Sequence, residues 1–142
     1  MSFEYKMESV SKVLEKINGI KKKEERVAAL RQNSNYTVRS ILQGMFDANV
    51  KFPMPEGAPP YKPSQFDEPK ALHNEVSRFY LLMEGGNPNL KPIKREQIFI
   101  QMLEGVSPDD AKLLIAMKDK KSPYKNITKD IVMEAFPGLL SG

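Results

Sequence analysis

Residues Lys118 to Leu140 read KDKKSPYKNITKDIVMEAFPGLL. Five lysines (Lys118, Lys120, Lys121, Lys125 and Lys129) stand in its first dozen positions beside a single acid, Asp119. Ser122-Pro123 and Asn126 interrupt any helix there, Thr128 is placed to cap a new one over 129–136, and Phe136-Pro137-Gly138 stops it. A basic loop, a short apolar helix and a stop can present positive charge on a rigid base. Two readings stand side by side: a loop that holds a polyanion, and a solvated lysine surface that serves solubility.

Working back from this stretch, helical periodicity dominates the chain. Ser107-Pro108-Asp109-Asp110 starts a helix running to about Lys118, with serine as cap, proline at the first position and two acids against the positive helix end. Residues 93–104 form another, with Ile93, Ile98, Met102 and Leu103 inward. The spacing predicts the strongest helix over 69–84, with Leu72, Val76, Phe79, Tyr80 and Met83 on one side and Gly85-Gly86-Asn87-Pro88 as its end. Nearer the start, Met7, Val10, Val13, Leu14 and Ile17 make one stripe over 7–18, stopped by Gly19. A second helix over 22–32 turns Val27, Ala28 and Leu30 inward, and a third over 36–47 buries Val38, Ile41, Leu42, Met45 and Phe46. No segment alternates with period two long enough for a sheet. The expected fold is all-α, with about seven helices in one domain over 1–142.

Residues 53–69 differ in kind. Six of the seventeen are proline, which fixes φ and removes backbone donors. Phe52, Tyr61 and Phe66 accompany them, so the segment reads as a long internal crossover packed on the surface.

Composition narrows the function classes. There is no cysteine, so neither a disulfide framework nor a thiolate metal site is available; this fits a reducing cytoplasm. The Met1–Lys6 start has no apolar core, so no signal peptide is expected, and no apolar run is long enough to span a bilayer. Net charge is +4. Residues 1–52 carry 10 Lys+Arg and 6 acids, residues 53–90 carry 3 and 5, and residues 91–142 carry 9 and 7. Both ends are basic and the middle is not. A fold that brings the ends together makes one basic face, of the kind that meets phosphate.

No catalytic constellation assembles. Neither phosphate-cradle pattern, G-x-x-x-x-G-K-[ST] or G-x-G-x-x-G, occurs. The one histidine, His73, cannot build a His-rich zinc site or pair with a cysteine. Asp109-Asp110 reads as helix capping and Glu24-Glu25 as a solvated face, so no metal, cofactor or enzymatic activity is expected. Among the aromatics, Tyr36, Tyr61 and above all Tyr124, between Pro123 and Lys125, are candidates for stacking on bases, against the alternative that they are core. Met45, Met83, Met102, Met117 and Met133 read as packing fillers. The basic loop has the best case for binding: its lysines, with donors at the start of the last helix, can meet consecutive phosphates without reading sequence. No Arg/Asn/Gln-rich recognition helix suits the major groove.

Certain residues carry a resemblance. Val13-Leu14-Glu15-Lys16-Ile17, then Ala28-Ala29-Leu30-Arg31-Gln32-Asn33, then Val38-Arg39 in a helix ending near Phe46 and followed by Val50-Lys51-Phe52-Pro53, form one run. Lys118-Asp119, the Ser122–Thr128 loop and Phe136-Pro137-Gly138-Leu139 form another. In this order the chain resembles the N-terminal DNA-binding domain of phage-type ATP-dependent DNA ligases. The resemblance implies an all-helical domain that grips duplex DNA on either side of a nick through backbone contacts from loops. Its implied contacts are Lys118, Ser122, Asn126 and Thr128, with Lys120, Lys121, Lys125 and Lys129 nearby. The loop here is about two residues longer than the family's, richer in lysine, and without its glycine-containing turn. The sequence holds no nucleotidyltransferase segment and no K-x-D-G nucleophile, so ligase chemistry is not expected of it. The expected role is a non-enzymatic, sequence-independent duplex DNA-binding protein, phage-encoded, acting in the host cytoplasm as an accessory to DNA replication or repair. The alternative is a phage structural or regulatory protein whose Pro-rich segment and acidic middle bind a phage or host protein partner.

Overall fold

The structure, a computed structural model, describes residues 8–142. Met7 and the Met1–Lys6 start lie outside the described residues. The helices are α1 (Val10–Asn18), α2 (Lys23–Gln32), α3 (Tyr36–Phe46), α4 (Ala71–Glu75), α5 (Pro92–Gly105), α6 (Pro108–Lys118) and α7 (Lys129–Ala135). A 3₁₀ helix, Val76–Leu82, continues α4. Among the described residues there is no strand, so the fold is all-α.

Local chemistry accounts for most boundaries. Asn35 caps α3, its side chain accepting from the Val38 N–H at 2.8 Å, and Thr128 caps α7 through the Ile131 N–H at 3.4 Å. Pro92 and Pro108 open α5 and α6, where no intrahelical N–H is missed. α7 stops at Ala135 because Phe136, held extended by the following Pro137, leaves helical geometry at φ −131° and ψ 75°; Gly138 then takes φ +84°, a conformation a side chain resists.

One expected cap works differently. The Ser107 hydroxyl makes no hydrogen bond to a backbone N–H of α6. It donates to the Asp110 carboxylate at 3.2 Å, and Asp110 also accepts from the Ser11 N–H at 3.1 Å. Ser11 lies in the first turn of α1, so a fully buried carboxylate on α6 satisfies an orphan donor at another helix's start.

The segment expected as the strongest helix departs most. Only Ala71–Glu75 is α-helical, and Val76–Leu82 tightens to 3₁₀. With three residues per turn, side chains at i and i+3 eclipse. Val76, Phe79 and Leu82 therefore share the buried face, while Tyr80 is 52 % exposed. The end of this element crowds Gly86: a Cβ there would sit 1.8 Å from the Tyr80 carbonyl oxygen. Elsewhere Ile93 and Met133 face solvent and Ala28 is exposed, with Phe99 and Arg95 buried on α5 instead of Ile93.

α6 is the hub, packing on α1, α3 and α5, while α2 packs on α7 and α1. The buried apolar side chains form one cluster reaching from Val10 to Ala135. The Pro-rich crossover lies over this core. Phe52 is buried, Met54 and Tyr61 pack against the cluster, and Phe66 is 76 % exposed, contrary to its expected packing. The crossover is tied to α5 by the Lys62 N–H to Glu104 at 2.8 Å and to α1 by Lys12 to Asp67 at 3.2 Å.

Candidate nucleic-acid interface

The eight loop residues expected to meet DNA divide sharply by what their polar atoms already bind. Lys118 is in the core, its side chain only 2 % exposed. Its ammonium donates to the carbonyls of Pro55 at 2.8 Å and Gly57 at 2.6 Å and to the Asp119 carboxylate at 2.5 Å. The same carboxylate accepts the Gly57 N–H. An ammonium has three donors, and all three are used in latching the Pro-rich segment to the end of α6.

Lys120 is consumed in the same way. Its Nζ donates to the carbonyls of Gly44 at 2.5 Å, Asp47 at 2.7 Å and Val50 at 2.8 Å, around the C-terminal end of α3, where unpaired carbonyls and the helix dipole favour a cation. Burial pushes its pKa down, Asp47 works against that, and the Lys129 charge adds to it. Lys118 and Lys120 are thus corrected from phosphate contacts to internal staples.

The rest of the loop is braced by its own polar groups. The Ser122 hydroxyl accepts from the Tyr124 N–H at 3.1 Å and lies 3.1 Å from the Tyr124 carbonyl, closing a turn on itself. Tyr124 is half-buried and its hydroxyl donates to the Ser11 carbonyl at 3.4 Å; burial pushes its pKa well up. Its ring packs against the core. Lys121 is exposed and pairs with Glu56 of the crossover, whose hydrogen bond raises its pKa. Thr128 is occupied as the α7 cap. Lys125 and Lys129 are exposed and have no ion pair among the described residues.

Asn126 has a different task. Its N–H donates to the Asn18 side chain at 2.8 Å and its Nδ2 to the Asn18 carbonyl at 2.9 Å. This joins the basic loop to the α1–α2 turn. A second seam lies beside it: Arg31 donates to the carbonyls of Glu134 at 2.8 Å and Ala135 at 3.2 Å, and Lys23 pairs with Glu134 at 3.4 Å. The two ends of the chain therefore meet, and Lys21 and Lys22 join the edge. Both are exposed and free of ion pairs among the described residues. Sequence reasoning passed over them, although the Lys21-Lys22-Lys23 run was a signal. The helix expected over 22–32 takes in Lys22, whereas in the structure both Lys21 and Lys22 precede α2.

The edge is a mixed surface. Glu24, Glu25 and Asp130 sit in the first turns of α2 and α7, where they complement the positive helix ends. The cations left to meet an anion are Lys21, Lys22, Lys125 and Lys129.

Away from this edge, a cavity of about 560 Å³ opens between α1, α2 and the start of α3, lined in part by Lys16, Asn33, Asn35 and His73. His73 Nδ1 lies 2.5 Å from the Thr37 hydroxyl, so that ring nitrogen is engaged within the fold. Among the described residues no three metal-ligating side chains gather, and no helix is long and apolar enough to cross a membrane. No curated protein matches the chain. Residues 13–123 match a family of unknown function, DUF6433, and with that span covering most of its length the chain belongs to that family.

Proposed function

We propose that this protein binds duplex DNA through its phosphates, without reading sequence and without catalysing a reaction, as a phage-encoded accessory to DNA replication or repair in the host cytoplasm. The observation that carries the reading is the Asn18–Asn126 junction. It sets the α1–α2 turn beside the α6–α7 loop, so four lysines with no internal partner share one edge. The resemblance to a ligase DNA-binding domain agrees with a duplex-binding role in general, while the contacts it implies at Lys118, Ser122, Asn126 and Thr128 are used within the fold. Duplex DNA places charges a few ångströms apart along each strand, so cations on two adjoining loops can meet successive phosphates.

The test is a titration of a labelled duplex of random sequence across a salt series. Four phosphate contacts give a slope of log K against log[salt] of about −3.6. Replacing Lys21, Lys22, Lys125 and Lys129 together by alanine flattens the slope and weakens binding equally on unrelated sequences. No binding at about 50 mM salt, or a flat response in the wild type, rejects the reading. A second reading, docking of a phage or host protein on the crossover, is favoured by Phe66, 76 % exposed on a segment pinned along its length. It predicts salt-insensitive partner capture that Phe66→Ser abolishes.

A further inference from the structure

We propose that Lys120 is a positioning residue for the DNA-binding edge, fixing where the basic loop begins without itself touching phosphate. This rests on the binding reading above and deepens it.

Lys120 stands where a helix ordinarily ends in glycine. α6 closes with the Lys120 N–H on the Met117 carbonyl at 3.1 Å and the Lys121 N–H on the Ala116 carbonyl at 3.0 Å. That is the Schellman arrangement, whose left-handed position favours glycine. Among the described residues Lys120 is the one non-glycine with positive φ, at 59°. A side chain at such a position is strained, and the strain persists only where the surroundings hold it. What holds it is the set of three carbonyl contacts around the C-terminal end of α3. The Phe52 ring, 5.8 Å from Nζ, adds to them. The tether therefore bolts the end of α6 to the end of α3 at the residue from which the loop departs. The far end of the loop is set separately, by the Thr128 cap on α7, so the tether governs where the loop begins. A loop held this way loses less freedom on binding, which raises affinity without adding a contact.

The test replaces Lys120 by glycine in the full chain. Glycine accepts the left-handed backbone, so the helix end is kept and only the tether is removed. Expected are faster amide exchange over 121–128, duplex affinity lower by about tenfold, and a salt slope unchanged from wild type. Lys125→Ala, by contrast, flattens the slope by about 0.9, as removal of one phosphate contact does. Lys120→Arg, which keeps a cation in reach of the same carbonyls, recovers affinity and loop protection. A slope flattened by about 0.9 in Lys120→Gly makes Lys120 a phosphate contact and overturns the positioning role. Unchanged affinity and unchanged loop exchange overturn it as well, while leaving the binding reading intact. Absence of duplex binding by the wild type overturns both together.

Discussion

Replacing Lys118 by methionine tests whether the lysine density of the loop serves the fold before it serves any ligand. Methionine keeps most of the stem and removes the ammonium, which lies 5.9 Å from the Phe99 ring centroid. Three partners are then stranded: the carbonyls of Pro55 and Gly57 and the Asp119 carboxylate, itself 11 % exposed. Removing one member of a buried ion pair costs about 3–5 kcal/mol. Because Asp119 keeps the Gly57 N–H and some solvent, the lower end applies, about 3 kcal/mol. At this chain length that is a fall in Tm of roughly 10 °C. Asp119→Asn keeps an oxygen for the Gly57 N–H but leaves the Lys118 ammonium, 2 % exposed, without its counter-charge, so its cost is similar, about 3 kcal/mol. In a double-mutant cycle the two changes are strongly coupled, because the second removes the charge the first left unpaired. The assays are denaturant unfolding of the three variants and amide exchange over 54–60, which rises where the latch is lost. A cost below about 1 kcal/mol refutes the latch. So does a DNA salt slope flattened by about 0.9 in a variant that remains folded, because Lys118 would then be touching phosphate.

Two further outcomes follow from other contacts. Burial drives the Asp47 carboxyl upward, but the Ser141 and Asn49 N–H groups and the Ser141 hydroxyl more than offset it and hold it below its ordinary 3.8. A lowered folded pKa means the attachment of the 139–142 tail contributes stability above about pH 4 and loses it as pH falls through the folded value; the Ser141 amide shift followed by NMR titrates below 3.8, and a midpoint at or above that value refutes this attachment through Asp47. Gly86→Ala drives a methyl into the Tyr80 carbonyl and destabilises by about 1–3 kcal/mol in denaturant unfolding; a neutral result would mean that the 3₁₀ segment yields freely.

The all-α class and most helix positions were legible in the sequence because caps, N1 prolines and 3.6-residue stripes are local signals. The 3₁₀ segment was not, and the reason is arithmetic. Val76 and Phe79, three apart, fit both periods, and only the next step separates them: 3.6 points to Tyr80 and Met83, whereas 3.0 points to Leu82, the residue that is fully buried. Ile93 misled for a related reason, since an apolar residue in a first turn can precede the point where the helix meets the core. The meeting of the basic ends was legible as a possibility from the charge distribution. Its seam was not, because an asparagine pair 108 residues apart leaves no local trace.

Which lysines remain free is decided by the crossover's chemistry. Six prolines in seventeen residues remove six N–H donors but no carbonyls. The segment therefore carries an excess of acceptors that its own backbone cannot satisfy, and it lies against the core, where unpaired carbonyls are costly. The end of α3 just before it adds further carbonyls without helical partners. Donors must come from elsewhere, and an ammonium supplies three at once. The lysines nearest these acceptors, Lys118 and Lys120, are spent on them; Lys121 meets Glu56 of the same segment. Only beyond Pro123, where the loop turns away toward Asn18, do lysines stay without internal partners. The lysine density of this stretch is thus the sum of two demands, and the phosphate-binding capacity read from it must be reduced by the donors that the proline segment takes.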